Sequence, residues 1–321
     1  MRKLPEHHIL CGPQRNGGRK RTARGAANVV HLDTTPGTGN VNLRLQEVAV
    51  RMVADLPPIA EDLIELAAYV YAADQATDRG SVGRFDYGSA WRRRFRFEVP
   101  VRCPDVWRDP RVSGELVRTM SFLSDDKYEF EFTPLRSPTR MPDYLEYTDS
   151  GRVVTDVEEV LLFSGVMDSL AGAVDAALSN GRKVAIVSHR SVSKVASRQN
   201  GLADRLAERA GAGRTPFHVP LVVNKKEWLG RDFTQRTRSF LFVAFAAVVA
   251  RLFGIDRARF YENGVVSCNL PICAQVLGGR ASRTTHPRVL NGFGRLVGLL
   301  FDRPFAFENP FFWRTRTDVA D

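Results

Sequence analysis

Hydrophobic and polar positions follow different rhythms along this chain, and the change of rhythm divides it. From Val41 to Ala73 the pattern is helical: Leu56, Ile59, Leu63, Leu66 and Val70 fall three and four residues apart, on one helical face. Two runs then alternate apolar with charged residues, Arg94–Val101 (Arg-Phe-Arg-Phe-Glu-Val-Pro-Val) and Tyr128–Phe132 (Tyr-Glu-Phe-Glu-Phe). Each predicts a strand with one wet face. Val112–Leu123 between them reads as a helix. Together these elements predict a small α+β domain over 41–150 with antiparallel strands, ending in a polar linker at Ser137–Gly151.

After Asp156 the rhythm changes. Short apolar runs at Val160–Phe163, Val184–Ser188 and Phe217–Val222 are separated by helical segments, and Phe260–Tyr261 precedes Glu262-Asn263-Gly264. Apolar strands alternating with helices predict a parallel sheet covered on both faces, a Rossmann-like α/β domain over 151–321. Phe240–Ala250 is apolar all round, too short to span a bilayer and bounded by Arg238 and Arg251, so it predicts a buried helix. In open α/β sheets ligands bind at the carboxyl ends of the strands. Ser164, Ser188-His189-Arg190 and Glu262-Asn263 are expected there.

Composition refines this picture. At 321 residues, two domains are the better expectation, and 44% apolar residues suits a folded protein. Residues 1–40 are rich in Gly, Arg, Asn, Thr and Pro without periodicity, which predicts a disordered basic arm. That arm holds Arg15, Arg19, Lys20, Arg21 and Arg24, part of a net charge of +10. The charge favours polyanionic partners such as nucleotides; nucleic-acid binding by the arm is a weaker reading than a solvated tail. Arg92-Arg93-Arg94 reads as a solvated strand edge. Cys11, Cys103, Cys268 and Cys273 form neither a disulfide framework nor a zinc spacing, so a reducing, cytoplasmic setting is expected. No apolar leader opens the chain and no membrane association is expected. With no Ser-His-Asp triad, HExxH or CxxC pair, hydrolase and zinc-protease chemistry has no support.

The most informative segment is Leu161-Leu162-Phe163-Ser164-Gly165-Val166-Met167-Asp168-Ser169, with a helical stretch Leu170–Leu178 behind it. A strand that turns through Ser-Gly-x-x-Asp-Ser into a helix suits phosphate: free N–H groups and the helix dipole face the anion, Gly165 lets the backbone approach, and Ser164 and Ser169 add hydroxyls. Asp168 beside phosphate implies a divalent cation between them. The plainer reading is a strand-to-helix turn capped by Ser and Asp.

This segment resembles the pyrophosphate loop of the PP-loop ATP pyrophosphatases, usually Ser-Gly-Gly-x-Asp-Ser. Thr234–Phe242, Glu262–Pro271, Arg283-Thr284-Thr285-His286-Pro287 and Glu308–Val319 follow in an order similar to the QueC-like branch, the 7-cyano-7-deazaguanine synthases. The N-terminal half, with Ala-Trp-Arg-Arg-Arg and Phe-Glu-Phe, is more like the QatC-type proteins of bacterial anti-phage defence islands. The resemblance runs from roughly residue 45 onward. It implies ATP and Mg2+ as ligands and adenylation of a carboxylate, 7-deazapurine-like or on a macromolecule, with release of AMP and pyrophosphate. By resemblance Ser164, Gly165, Val166, Asp168 and Ser169 hold pyrophosphate, with Asp168 on magnesium. Ser188 and His189 lie near the adenosine, and Arg316 stands where the family has a phosphate-binding Lys. Arg238 heads the second conserved helix, and Thr284 and His286 approach the substrate.

From the residues themselves, Arg236 and Arg238 suit a triphosphate or carboxylate or simply flank the buried helix, Glu262 with Asn263 suits magnesium or a ribose hydroxyl or is a turn residue, and His286 suits acid–base work or, equally, is a hydrogen-bonded loop histidine. Two departures stand out. Val166 replaces a loop Gly, where a β-branched residue resists φ > 0 and crowds phosphate. The family's C-terminal zinc-binding cysteine cluster is missing, so the chain is expected to be C-terminally short. The rival expectation is therefore a degenerate, non-catalytic nucleotide-binding subunit of a multi-protein defence complex.

Overall fold

A computed structural model describes residues 5–13, 28–44, 56–79, 91–136, 156–190, 192–211, 213–230, 235–270 and 282–320. The linker at 137–151 and the arginine-rich stretch of the arm fall outside these residues.

Two sheets organise the chain. The first has strand order β2-β1-β4-β5, from β1 (Glu6–Cys11), β2 (Asn28–Leu32), β4 (Arg94–Val101) and β5 (Lys127–Pro134). The second has order β10-β9-β6-β7-β8-β3, from β3 (Val41–Leu43), β6 (Glu159–Leu162), β7 (Val184–Arg190), β8 (Phe217–Lys225), β9 (Arg257–Arg259) and β10 (Ala306–Glu308). Its strands are parallel except the edge strand β3, which runs antiparallel to β8. This is a layered α/β architecture compatible with a Rossmann-like fold.

The alternating runs became strands as expected. Phe95, Phe97, Val99 and Val101 point into the core, and Arg94 and Arg96 face water. Their direction corrects the expectation, because β4 and β5 pair in parallel, with Phe95 opposite Tyr128 and Phe97 opposite Phe130. The cause is the connection. Helices α2 (Pro104–Arg108) and α3 (Pro110–Ser124) carry the chain back to the starting end, as a parallel pair requires. Alternation reports one wet face and is silent about direction.

The arm is also corrected. Residues 6–11 and 28–32 are strands β1 and β2, parallel to each other, and β1 continues the sheet beside β4. Within the stretch expected to be helical from Val41, β3 comes first and helix α1 spans Pro58–Ala76, with Pro58 at a first-turn position where its missing N–H costs nothing.

Helix α6 (Arg238–Leu252) is the predicted buried helix, with every residue from Ser239 to Ala250 buried. It packs against α1 and against β6, β7 and β9. Helix α8 (Pro287–Leu300) packs against α3, and Phe293 stacks on Phe240 of α6 at 5.2 Å. The main hydrophobic core therefore contains Ile9, Phe97 and Leu116 together with Val160, Val187 and Phe245. Among the described residues no helix is long and apolar enough to cross a membrane.

The Arg92–Arg94 cluster splits. Arg92 and Arg94 are exposed, whereas Arg93 is wholly buried, so the expected solvated edge holds for only two of the three. Arg93 bonds both Asp74 and Asp126, donates to the Thr77 carbonyl at 2.6 Å and lies over Phe95. Arg79 shares the same two carboxylates. Buried charges persist only when paired, and this network is what lets a strand begin inside the core.

Candidate functional site

The loop after β6 is built as a phosphate cradle would be. Phe163 is anchored by its N–H to the Val187 carbonyl at 2.7 Å, which fixes the strand end. The turn then needs Gly165, whose φ is +78°, and a Cβ there would lie 3.1 Å from Gln199 Cγ. Helix α4 (Met167–Val174) starts immediately, continues as a π-helical turn over Asp175–Ser179, and has no side-chain cap at Val166. The N–H groups of its first turn are thus left for another acceptor. Ser164 Oγ and Ser169 Oγ meet at 2.9 Å, and Ser169 Oγ donates to the Val166 carbonyl at 2.9 Å, which holds the two hydroxyls side by side.

Val166 itself corrects the argument from sequence. Its backbone is extended, φ −103° and ψ 171°, so no left-handed conformation is demanded of a β-branched residue. The positive φ belongs to Gly165 alone. The Val166 side chain is 52% exposed, so crowding of a ligand is the one objection left.

Asp168 is buried, and one of its oxygens accepts from both the Asn263 N–H at 2.9 Å and Asn263 Nδ2 at 2.8 Å. Asn263 in turn caps helix α7 (Gly264–Cys268) by accepting from the Val266 N–H. Beside it Glu262 is pushed up to about 7, by burial first and then by the Asp168 charge, against the pull of Arg316. Two carboxyls thus share a site at the carboxyl edge of the sheet, with Arg316 on the short helix α9 (Arg316–Ala320), which packs on α4. Asn309 pins this corner: it accepts from the Glu262 N–H at 3.1 Å and donates to the Glu262 carbonyl and to Ser267 Oγ. Gly264 is required here because a Cβ would strike the Phe312 carbonyl at 1.9 Å.

A second group lies deeper. Gln199 on α5 (Ser193–Ala210) donates to the carbonyls of Ser164 and His189, tying the loop to β7. His189 is fully buried, donates to the Val223 carbonyl at 2.9 Å, and is pushed down to about 4 chiefly by burial. Arg238 lies over Phe242 at 5.3 Å, and burial lowers its affinity for its proton. Its Nε has no partner among the described residues. A cation in that state suits an incoming anion.

Several expected members lie elsewhere. Ser188 is inside β7 rather than beyond it, wholly buried and bonded to His218 at 2.7 Å, so it faces a neighbouring strand. Arg236 turns away from Arg238 towards the α3–β5 turn, over Trp91 at 5.0 Å. Nδ1 of His286 accepts the Arg288 N–H at the start of α8, and its ring meets Phe122 edge-on at 5.1 Å. Thr284 is half-buried; its neighbour Thr285 is the buried one, bonded to Ser267 at 2.9 Å. Gln199, Asn309 and Thr285 were not foreseen. A polar residue on the buried face of α5 is the only sequence trace of Gln199.

Among the described residues no three metal-ligating side chains come together. A magnesium ion would rest on Asp168 and Glu262 plus ligand oxygens. That fits the few carboxylates this ion takes from protein, and the raised Glu262 has the unrelieved charge a cation would answer.

No protein-family model and no curated protein matches the chain. Among solved structures it is similar to a C2-type ketoreductase from a modular polyketide synthase, at 14% identity over 92% of this chain and 79% of the other, with a TM-score of 0.19. So distant a likeness carries no argument.

Proposed function

We propose that this chain binds ATP with magnesium at the β6–α4 loop and adenylates a carboxylate, as its sequence resemblance to the QueC-like PP-loop proteins implies. The observation that carries the reading is Asp168, buried at the head of a helix with uncapped N–H groups and flanked by a second carboxyl, Glu262. Asp168 also holds Asn263 through two hydrogen bonds, and it is the second carboxyl beside it that a plain turn does not call for. Phosphate oxygens would be held by the first-turn N–H groups and by Ser164 and Ser169. Asp168 and Glu262 would hold the cation, and Arg238 and Arg316 would neutralise charge. A substrate carboxylate oxygen forms a bond to the α-phosphorus while the bond from that phosphorus to the bridging oxygen breaks, and pyrophosphate leaves. The loop's part is to hold the leaving group.

The test is product analysis. Incubation with ATP, Mg2+, candidate carboxylates and ammonia, whose nitrogen attacks the acyl carbon and displaces AMP from the acyl-adenylate, should yield AMP and pyrophosphate, and Asp168→Ala should abolish magnesium-dependent ATP binding in calorimetry. Formation of ADP and phosphate alone would reject adenylation. Unchanged ATP affinity in the variant would reject the site. The alternative, a non-catalytic nucleotide-binding subunit working with partner proteins, is favoured by the exposed Val166 side chain at the loop. It predicts binding without turnover.

A further inference from the structure

The nucleotide reading leaves Arg236 unused, and its surroundings are unusual. The residue is 4% exposed, yet its Nε and Nη2 have no partner among the described residues. Among the described residues its hydrogen bond is a long donation from Nη1 to the Ser124 carbonyl, 3.4 Å, and its guanidinium lies against Trp91. Neighbouring carboxylates are already committed. Asp126 receives Arg79 and Arg93. Asp74 receives the same two arginines and both the N–H and hydroxyl of Thr237. Asp125 pairs with Arg92 at 3.0 Å and lies 3.8 Å from Arg283. Among the described residues guanidiniums therefore outnumber carboxylates here. Arg236 is pushed down to about 10, by burial first and then by Arg79, against the pull of Asp125 and Asp126, with Arg283 adding to the downward shift.

A buried guanidinium with open donors and no carboxylate bonded to it among the described residues is costly, and proteins keep such groups where an anion completes them. The way in is marked by residues that reach solvent: Arg283 and Asp125 are partly exposed and Arg92 is exposed. Arg283 is itself fixed, donating to the Phe122 carbonyl at 2.7 Å and lying over the Phe122 ring. Its partner Asp125 sits in a left-handed turn at the end of α3.

We propose that Arg236 and Arg283 form a seat for an oxyanion, a phosphate monoester or carboxylate borne by a ligand, at the seam between the α3–β5 turn and the head of α6 and separate from the nucleotide loop. A guanidinium fork suits either group because both present paired oxygens. The seat does not depend on the nucleotide reading, since Arg236 and Arg238 leave the same turn in different directions.

The experiment is thermal unfolding of the full chain in chloride and in inorganic phosphate at equal ionic strength, with a citrate arm to separate carboxylate from phosphate ligands. Wild-type protein should be stabilised by one or both anions. Arg236→Met and Arg283→Gln should weaken that response about tenfold in half-saturating concentration. Arg209→Gln, exposed on α5 and part of neither site, should keep it. In chloride, Arg236→Met should unfold no earlier than wild type, because it removes an unpaired charge. No anion response in wild type, an undiminished response in both seat variants, or an equal loss in Arg209→Gln would overturn the seat. Should Arg236→Met fail to fold, Arg236 is structural; that too overturns the proposal unless Arg283→Gln folds and loses the response.

Discussion

Glu262→Gln should stabilise this protein at pH 8 and leave it unchanged near pH 4.5. The carboxyl is half-buried beside Asp168, and its proton affinity is raised from 4.5 to about 7. Below the unfolded-state value both states carry the proton, so the folded protein bears no penalty. As pH rises towards about 7 the unfolded chain ionises freely while the folded site resists. The stability held at low pH is therefore lost across pH 4.5 to about 7 and does not return above it. At about 1.36 kcal/mol per unit the shift corresponds to roughly 3 kcal/mol. Solvent still reaching the group reduces this to on the order of 1–2 kcal/mol. Gln keeps the size and cannot ionise, so it escapes the loss. Calorimetry in EDTA from pH 4.5 to 8.5 should show the variant's midpoint drawing ahead by roughly 2–6 °C at the alkaline end. A gap that is constant with pH, or that closes as pH rises, would refute the reasoning. If the pair binds magnesium, adding Mg2+ at pH 8 should raise the wild-type midpoint and narrow the gap.

Val166→Gly should change affinity for a non-hydrolysable ATP analogue by less than about threefold, since the extended backbone at Val166 gives Gly no conformation to exploit. A gain above about tenfold in calorimetric titration would show that the side chain does crowd the phosphates. Arg93→Met should cost about 3–5 kcal/mol in urea unfolding, because it strands Asp74 and Asp126 in the core. A loss below about 1 kcal/mol would mean that Arg79 alone satisfies both carboxylates.

How much could be read from sequence depended on the range of the interaction. Strand β6, the turn at Gly165 and helix α4 are specified within a dozen residues, by an apolar run, a glycine and a helix start. The buried α6 was legible because its sequence is apolar on every side. The direction of β4 and β5 was not, because pairing is decided by the crossover and not by the strands. Strands β1 and β2 were hidden in an arm whose average composition is polar, since each is only a few residues long and gains its partner from elsewhere in the chain. Arg93 looked like surface for the same reason: its partners Asp74 and Asp126 come from an earlier helix end and a later turn. At the loop, Ser164, Gly165, Asp168 and Ser169 were legible as a motif, and Glu262, Asn263 and Arg316 were brought to it by the fold. Ser188, Arg236 and His286 were placed by order along the chain, and strand length and side-chain direction took them elsewhere.

These long-range partners also tie the two halves together. The turn before α6 carries Arg236, Thr237 and Arg238 in succession. Thr237 is held by Asp74 of α1, Arg236 reaches the end of α3, and Arg238 points to the ring of Phe242 beside His189. A turn fixed at its centre by a buried carboxylate cannot move one of its arginines without disturbing the other. The Thr285–Ser267 bond makes a parallel link, since Ser267 lies on the α7 that Asn263 caps, and Asn263 holds Asp168. Arg283, two residues before Thr285, is fixed to the end of α3. The second link runs from Asp168 to the α3–β5 corner, and the first joins that corner to Arg238 beside Phe242 and His189. The N-terminal half is thus not a separate appendage: Asp74, Phe122 and Ser124 hold Thr237, Arg283 and Arg236 of the other half directly.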